Sequence, residues 1–154
     1  MKARGMATVI TLIVVVLLSS PGLLPAGQHS QTSPRVLEIR SYSLKPGVRD
    51  RFQKRFVEES LPLLEKYKVD VVAYGPSLHD ADSWFLMRSY VNVDDRQRSE
   101  DAFYGSDDWK KGPREAVMAD IETYNTVVVQ VDDATLKGLR RLPRWIPATT
   151  SLRW

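Results

Sequence analysis

The side chains of this chain that could form a chemical site are polar or aromatic and occupy alternate positions of three β-rich segments: Glu38, Arg40, Tyr42, Tyr74, Trp84 and Arg88. The two arginines could bind an anionic group, the tyrosines could donate hydrogen bonds, and Trp84 could form an apolar wall for a flat molecule. The same charges could instead form structural ion pairs at a subunit interface, with Trp84 in the core. Buried charges need a partner in either case.

A second candidate for chemistry is His79, the one histidine between residues 36 and 133, which lies near Asp80 and Asp82. A histidine beside carboxylates could bind a metal ion or act as a general base. The alternative is a solvated loop, and the surrounding turn-forming residues favour it. We therefore expect no metal site and no cofactor.

Several catalytic classes lack their characteristic residues. The chain has no cysteine, so disulfides, thiolate metal ligands and a cysteine nucleophile are excluded. It also has no GxSxG motif, phosphate-binding loop, dinucleotide fingerprint or paired-histidine zinc motif. Serine hydrolase, nucleotide-binding and zinc-protease functions are therefore unsupported, and no catalytic residue can be assigned.

Hydrophobic periodicity predicts the elements that position the candidate residues. Alternating or β-branched segments predict strands over 36–44, 69–74, 84–91 and 123–131. Amphipathic or capped segments predict helices over 48–67, with an interruption at Pro62, over 94–104 and over 113–121. The order is that of a ferredoxin-like βαββαβ unit, an α+β fold with an antiparallel sheet.

Helices cover one face of such a sheet, and the other face needs a second layer. A second copy of the chain is the simplest cover. We expect the six candidate residues to lie on the face that this second copy encloses, an assignment that rests on period-two alternation alone.

Three blocks carry a resemblance to a known family: VLEIRSYSLKPG at 36–47, LPLLEKYKV at 61–69 and FYGSDDWKK at 103–111. Together they resemble a NIPSNAP-family domain, over roughly residues 36–131. The resemblance implies a dimeric α/β-barrel, in which two sheets face each other and enclose a cavity. Related barrels include cofactor-independent oxygenases, isomerases and haem enzymes, but NIPSNAP proteins as a class have no settled reaction.

The N-terminal 27 residues have the layout of a secretory signal peptide. Lys2 and Arg4 precede an uncharged segment, residues 6–18, after which Pro21 and Gly22 break the helix. We expect cleavage near residue 26 or 27 and export to the periplasm or the exterior. The alternative is an uncleaved membrane anchor, for which the apolar segment is short.

Composition divides the remainder into three parts. Residues 28–35 form a polar leader, and residues 36–133 form the domain. From residue 28 to 133 there are 15 basic and 19 acidic side chains, a net charge of −4. The tail, residues 134–154, is basic and contains no acid. We therefore expect no nucleic-acid partner, and membrane contact only through the signal segment or the basic tail.

Two functions follow from these observations. The first is an exported homodimeric binding protein that holds a small, partly apolar, anionic molecule in a barrel cavity, with Arg40 and Arg88 as charge partners. The second is a cofactor-independent enzyme of the monooxygenase or isomerase type, acting on an aromatic or polyketide-like substrate. In the second case Tyr42, Tyr74 or His79 would transfer protons.

Overall fold

The computed structural model of the protein describes residues 34–142. The expected signal peptide, most of the leader and the last twelve residues of the tail lie outside the described residues. Between residues 34 and 142, no helix is long and apolar enough to cross a bilayer.

Four strands form one antiparallel sheet in the order β2-β3-β1-β4. The strands are β1 (Arg35–Leu44), β2 (Asp70–Pro76), β3 (Ser83–Tyr90) and β4 (Ile121–Val131). Strand β1 lies in the centre and pairs with both β3 and β4. This order, with helices in the two crossover connections, is that of the ferredoxin-like α+β fold and confirms the expected class.

The first crossover consists of three short helical pieces in succession. These are α1 (Arg49–Arg55), a π-helical turn (Phe56–Ser60) and α2 (Leu61–Lys66). Pro62, where an interruption was expected, lies in the first turn of α2. In the π-helical turn the Leu61 N–H donates to the Phe56 carbonyl oxygen, five residues back. Such a turn inserts one residue into the helix and re-aims the side chains beside it.

The second crossover also contains three helices: α3 (Val93–Gly105), α4 (Asp107–Lys111) and α5 (Arg114–Asp120). Side-chain caps start the first two. The Asn92 side chain accepts from the Asp95 N–H at 2.8 Å, and the Ser106 hydroxyl accepts from the Trp109 N–H at 3.2 Å. After α4 the chain passes so close to itself that a Cβ at Gly112 would lie 2.2 Å from the Asp108 carbonyl oxygen.

The helices cover the sheet face that carries the large aromatic side chains. Trp84 pairs with Tyr42 across β3 and β1, and its ring lies 5.1 Å from that of Phe52 and 4.7 Å from that of Phe56. The Trp84 indole N–H donates to the Gln53 side-chain oxygen. This aromatic cluster is the centre of the core.

The expected assignment of the sheet faces is therefore wrong. The side chains expected on the open face lie beneath the helices instead: Glu38, Arg40, Tyr42, Tyr74, Trp84 and Arg88. Alternation correctly showed which residues share a face, but both faces carry large apolar side chains, and the pattern does not show which one the helices cover.

The opposite, open face of the sheet is aliphatic. It carries Ile39, Phe85 and Met87, which are partly buried, and Val127 and Val129, which are exposed. A further helix, α6 (Asp133–Leu139), packs on part of this face through Leu136 and Leu139. α6 was not expected from the sequence, and it extends the ordered domain beyond residue 133.

Candidate ligand-binding site

Five charged side chains meet beneath the helices and form what we call the arginine–glutamate cluster: Glu38 and Arg40 from β1, Arg88 from β3, and Arg96 and Glu100 from α3. The sheet register places Glu38 directly opposite Arg88. The four-residue spacing of Arg96 and Glu100 puts both on the face of α3 that lies over these strands.

Both carboxylates of the cluster are held by several guanidinium groups. Glu38 accepts from the Arg88 Nε at 3.2 Å, from the Arg88 Nη2, and from the Arg96 Nε. Glu100 accepts from the Arg88 Nη2 at 2.6 Å and from the Arg40 Nη2 at 3.1 Å, and its second oxygen lies 2.9 Å from the Arg96 Nη2. Glu38 and Arg88 are 0% and 1% exposed, so this pairing takes place out of contact with water.

The cluster contains one more arginine than glutamate, a formal charge of +1. Tyr104 lies between two of the arginines, and its hydroxyl accepts from Arg40 at 2.8 Å and from Arg88 at 3.1 Å. Between residues 34 and 142, the buried Nε of Arg40 has no acceptor. The cluster therefore keeps both an unneutralised charge and an unused donor at Arg40.

The two glutamates differ in their protonation. Burial alone would raise the pKa of Glu38, but the charges and hydrogen bonds of Arg88 and Arg40 outweigh it, and the pKa is lowered below its usual value. Burial, together with the negative charge of Glu38, raises the pKa of Glu100. The same cluster thus lowers the pKa of Glu38 and raises that of Glu100.

A cavity of about 540 Å³ opens beside Arg40, between the sheet and the helices of the second crossover. Its volume falls within the range of small-molecule sites, about 300 to 1,000 Å³. Its walls are aromatic and aliphatic, and its charged residues are three cations and one acid. The lining residues are Arg40, Tyr42, Glu100, Tyr104, Trp109, Lys110, Arg114, Val117, Met118, Ile121 and Tyr124.

The cavity walls suit a flat apolar body attached to an anionic group. The Arg40 guanidinium carbon lies 5.2 Å from the centre of the Tyr124 ring and 5.8 Å from that of Tyr104. Trp109 and Tyr104 are in edge-to-face contact, with their ring centres 5.7 Å apart. Lys110 and Arg114 are exposed and add positive charge at the same cavity.

The structure brings together four of the six residues expected at a site. Arg40 and Tyr42 line the cavity, and Glu38 and Arg88 form the ion cluster behind it. Trp84, by contrast, is a core residue, as the alternative interpretation held. Tyr74 packs beside it and lines a separate recess on the α2 side of the sheet.

The residues considered for proton transfer are poorly suited to that role in this geometry. Burial raises the pKa of Tyr42, so the phenol keeps its proton at neutral pH. His79 is exposed in the loop between β2 and β3, where its backbone N–H donates to Ser77. The Asp80 carboxylate in that loop accepts from Ser83 and from the Asp82 N–H, so it serves to shape the turn.

Sequence reasoning missed Arg96, Glu100 and Tyr104, the contribution of α3 to the site. The sequence feature that could have identified them is their regular spacing of four residues, which places all three on one face of a helix. The aromatic residues of the 103–111 block were not predicted as ligand contacts, because such residues more often anchor a helix to the sheet. Tyr104 does pack on Phe103 and Trp109, but it also bonds both arginines.

Comparison with known proteins identifies the fold. The NIPSNAP family model matches residues 37–129. A solved NIPSNAP family protein from Agrobacterium tumefaciens is 16% identical with a TM-score of 0.61, covering 67% of this chain and 90% of its own. A second from the same organism is 18% identical, with a TM-score of 0.59 and coverages of 64% and 88%. A NIPSNAP-like domain protein from Burkholderia xenovorans is 16% identical, with a TM-score of 0.58 and coverages of 62% and 83%. No curated protein matches this chain significantly.

Proposed function

We propose that this chain, which belongs to the NIPSNAP family, is a binding protein for a small anionic molecule with an apolar body. The observation that carries the proposal is Arg40. Its guanidinium lines a cavity of about 540 Å³, belongs to a cluster with an excess positive charge, and has an Nε without an acceptor in the described part of the chain. The binding site lies between the sheet and the helices rather than between two sheets.

An anionic group beside Arg40 would neutralise the excess charge of the cluster and accept a hydrogen bond from its guanidinium. A charge-assisted hydrogen bond of this kind is stronger than a neutral one, and more so away from water. The aromatic rings of Tyr42, Tyr104 and Trp109 would contact the apolar body of the ligand. Charge thus fixes the orientation of the molecule, and burial of its apolar surface supplies the remaining affinity.

Titration calorimetry with 2-naphthoate, a flat aromatic carboxylate, tests the proposal. Arg40→Met should lower the affinity by roughly 2 to 5 kcal/mol, the range found when one partner of a buried charge pair is truncated. Arg98→Met is the matched control, because Arg98 is exposed on α3 and, among residues 34–142, forms an ion pair only with Asp95, at 3.7 Å. Equal binding by both variants, or no binding by the unaltered protein, would contradict the proposal.

We also propose that the protein is a homodimer joined through the open sheet face. Val127 and Val129 are 55% and 38% exposed on that face, next to the partly buried Phe85 and Met87. A contiguous apolar surface of this kind is characteristic of an interface. A second copy would cover it in the manner of a dimeric α/β-barrel, with one ligand site in each protomer beneath the helices.

A second candidate function, a cofactor-independent enzyme, is favoured by one observation. Glu100 lines the cavity and has a raised pKa, as a general acid or base requires. Mass spectrometry of the small molecules that copurify with the protein and with Glu100→Gln separates the two functions. A different molecule on Glu100→Gln would indicate turnover, and the same molecule on both would indicate binding alone.

Export completes the proposed function, since a binding protein with a cleaved signal peptide would act in the periplasm or outside the cell. N-terminal sequencing of the exported protein should begin at Gly27 or Gln28. Recovery of the full-length chain in carbonate-washed membranes would show that the segment is an anchor instead.

A further inference from the structure

Behind the ligand cavity lies a second, smaller chamber of about 40 Å³. Four residues line both the chamber and the cavity: Tyr42, Tyr104, Trp109 and Val117. Arg88 of the ion cluster also borders it. The same four side chains border both spaces, so the chamber adjoins the cavity that Arg40 lines.

One hydroxyl in the chamber wall is unused. Ser60 lines the chamber and is only 4% exposed, yet its Oγ makes no hydrogen bond to any group between residues 34 and 142. Buried polar side chains nearly always have a partner, and leaving one without a partner is costly. The position of Ser60 thus indicates a group that is supplied from the chamber.

The backbone around Ser60 is also unusual. Ser60 is the last residue of the π-helical turn, which interrupts an otherwise α-helical crossover. Single π-helical turns are rare in proteins and occur frequently at functional sites, where they re-aim a side chain. The rest of the chamber is largely apolar, so Ser60 supplies a specific hydrogen bond in an apolar environment.

We propose that the chamber is a second subsite, and that the ligand is a rigid anion with a hydroxyl or carbonyl group at the end opposite its negative charge. This rests on the proposed function, because Arg40 must hold the anionic end. A volume of about 10 to 15 Å³ holds one water molecule, so 40 Å³ admits only a few non-hydrogen atoms. The ligand therefore places its tip, not its whole body, in the chamber next to Ser60.

Matched pairs of probes test the subsite in titration calorimetry: benzoate with 4-hydroxybenzoate, and 2-naphthoate with 6-hydroxy-2-naphthoate. Each pair differs only in the distal hydroxyl, and the two pairs cover two lengths. At least one hydroxylated probe should bind the unaltered protein roughly five- to tenfold more tightly than its parent, the gain of about one added hydrogen bond. Ser60→Ala should abolish that preference and leave binding of the parent unchanged.

The controls separate this inference from the proposed function. Ser43→Ala, on the opposite sheet face and outside both spaces, should keep the preference. Arg40→Met should weaken both members of a pair equally. Thermal melts should show Ser60→Ala to be at least as stable as the unaltered protein, because the variant removes an unpaired buried hydroxyl.

Each remaining outcome is decisive. Binding that depends on Arg40 but shows no preference in either pair, or a preference that survives in Ser60→Ala, would overturn the subsite and leave the proposed function standing. Failure of every probe to bind, or binding that ignores Arg40, would overturn both.

Discussion

Glu38 and Arg40 belong to the same ion cluster, but we expect their removal to have very different effects on stability. Glu38→Gln replaces one of two carboxylates that face three arginines, and it raises the formal charge of the cluster from +1 to +2. Arg88 loses its main partner at a position that is 1% exposed. Breaking a buried pair in this way costs about 3 to 5 kcal/mol.

Arg40→Met lowers the formal charge of the cluster from +1 to zero. It removes hydrogen bonds of 2.8 Å to Tyr104 and 3.1 Å to Glu100 and an ion pair of 3.3 Å to Glu38, but both carboxylates keep Arg88 and Arg96. The methionine fills much of the volume that the arginine stem occupied. The expected cost is about 2 kcal/mol, that of the two hydrogen bonds.

Urea denaturation at pH 7, followed by tryptophan fluorescence, measures both costs, because Trp84 is in the core and reports its unfolding. The difference between the variants should be at least about 1 kcal/mol. If Arg40→Met were as destabilising as Glu38→Gln, Arg40 would be a structural partner of Glu38, and any loss of ligand binding in that variant would follow from unfolding.

Three further predictions concern pH, α6 and the open face. Because the pKa of Glu100 is raised in the folded state, its contribution to stability is full below its unfolded value of about 4.3 and is lost as the pH rises through the folded value. Glu100→Gln should remove that decline from the stability–pH profile, and an unchanged profile would contradict the assignment. In urea denaturation, Leu136→Ala should lower the free energy of unfolding by roughly 2 to 3 kcal/mol. The control Leu78→Ala, at a fully exposed loop position, should have almost no effect. Equal costs for the two variants would argue against the packing of α6 on the sheet. Val127→Asp with Val129→Asp should convert the proposed homodimer into a folded monomer in light scattering at micromolar concentration. An unaltered protein that is already monomeric would contradict the proposal.

The strands and their order could be predicted because their signals are local. Period-two alternation identified β1 and β3, and Pro46-Gly47 and Gly75-Pro76 marked two strand ends. The antiparallel sheet followed from the order of the elements. The family resemblance agreed with the same residues, and the family model covers residues 37–129.

The assignment of the sheet faces failed because it depends on tertiary packing. Both sides of β1 and β3 carry large apolar residues, and the side with the charged residues was assigned to the face that a second copy encloses. The structure places these charged residues beneath the helices instead, where α3 supplies Arg96 and Glu100 as partners. Burial of a charge is decided by the element packed against it, which a strand's own sequence does not contain.

The site was predicted only in part for a related reason. Arg40 and Arg88 stand out because charges are unusual in a strand, whereas Arg96 and Glu100 do not, because charges are ordinary on a helix. The π-helical turn that ends at Ser60 could not be predicted either, since its sequence continues the amphipathic pattern of α1. Local patterns show the elements, and the site arises where three of them meet.

Native mass spectrometry of the protein from its own host tests the central claim most directly, because the bound molecule identifies itself and no probe has to be chosen. The unaltered protein should carry a small molecule that fragments as an acid, and Arg40→Met, folded in the same preparation, should lack it. Arg98→Met should retain it. An unaltered protein with no bound molecule, or a molecule retained equally by Arg40→Met, would contradict the assignment of this cavity as an anion-binding site.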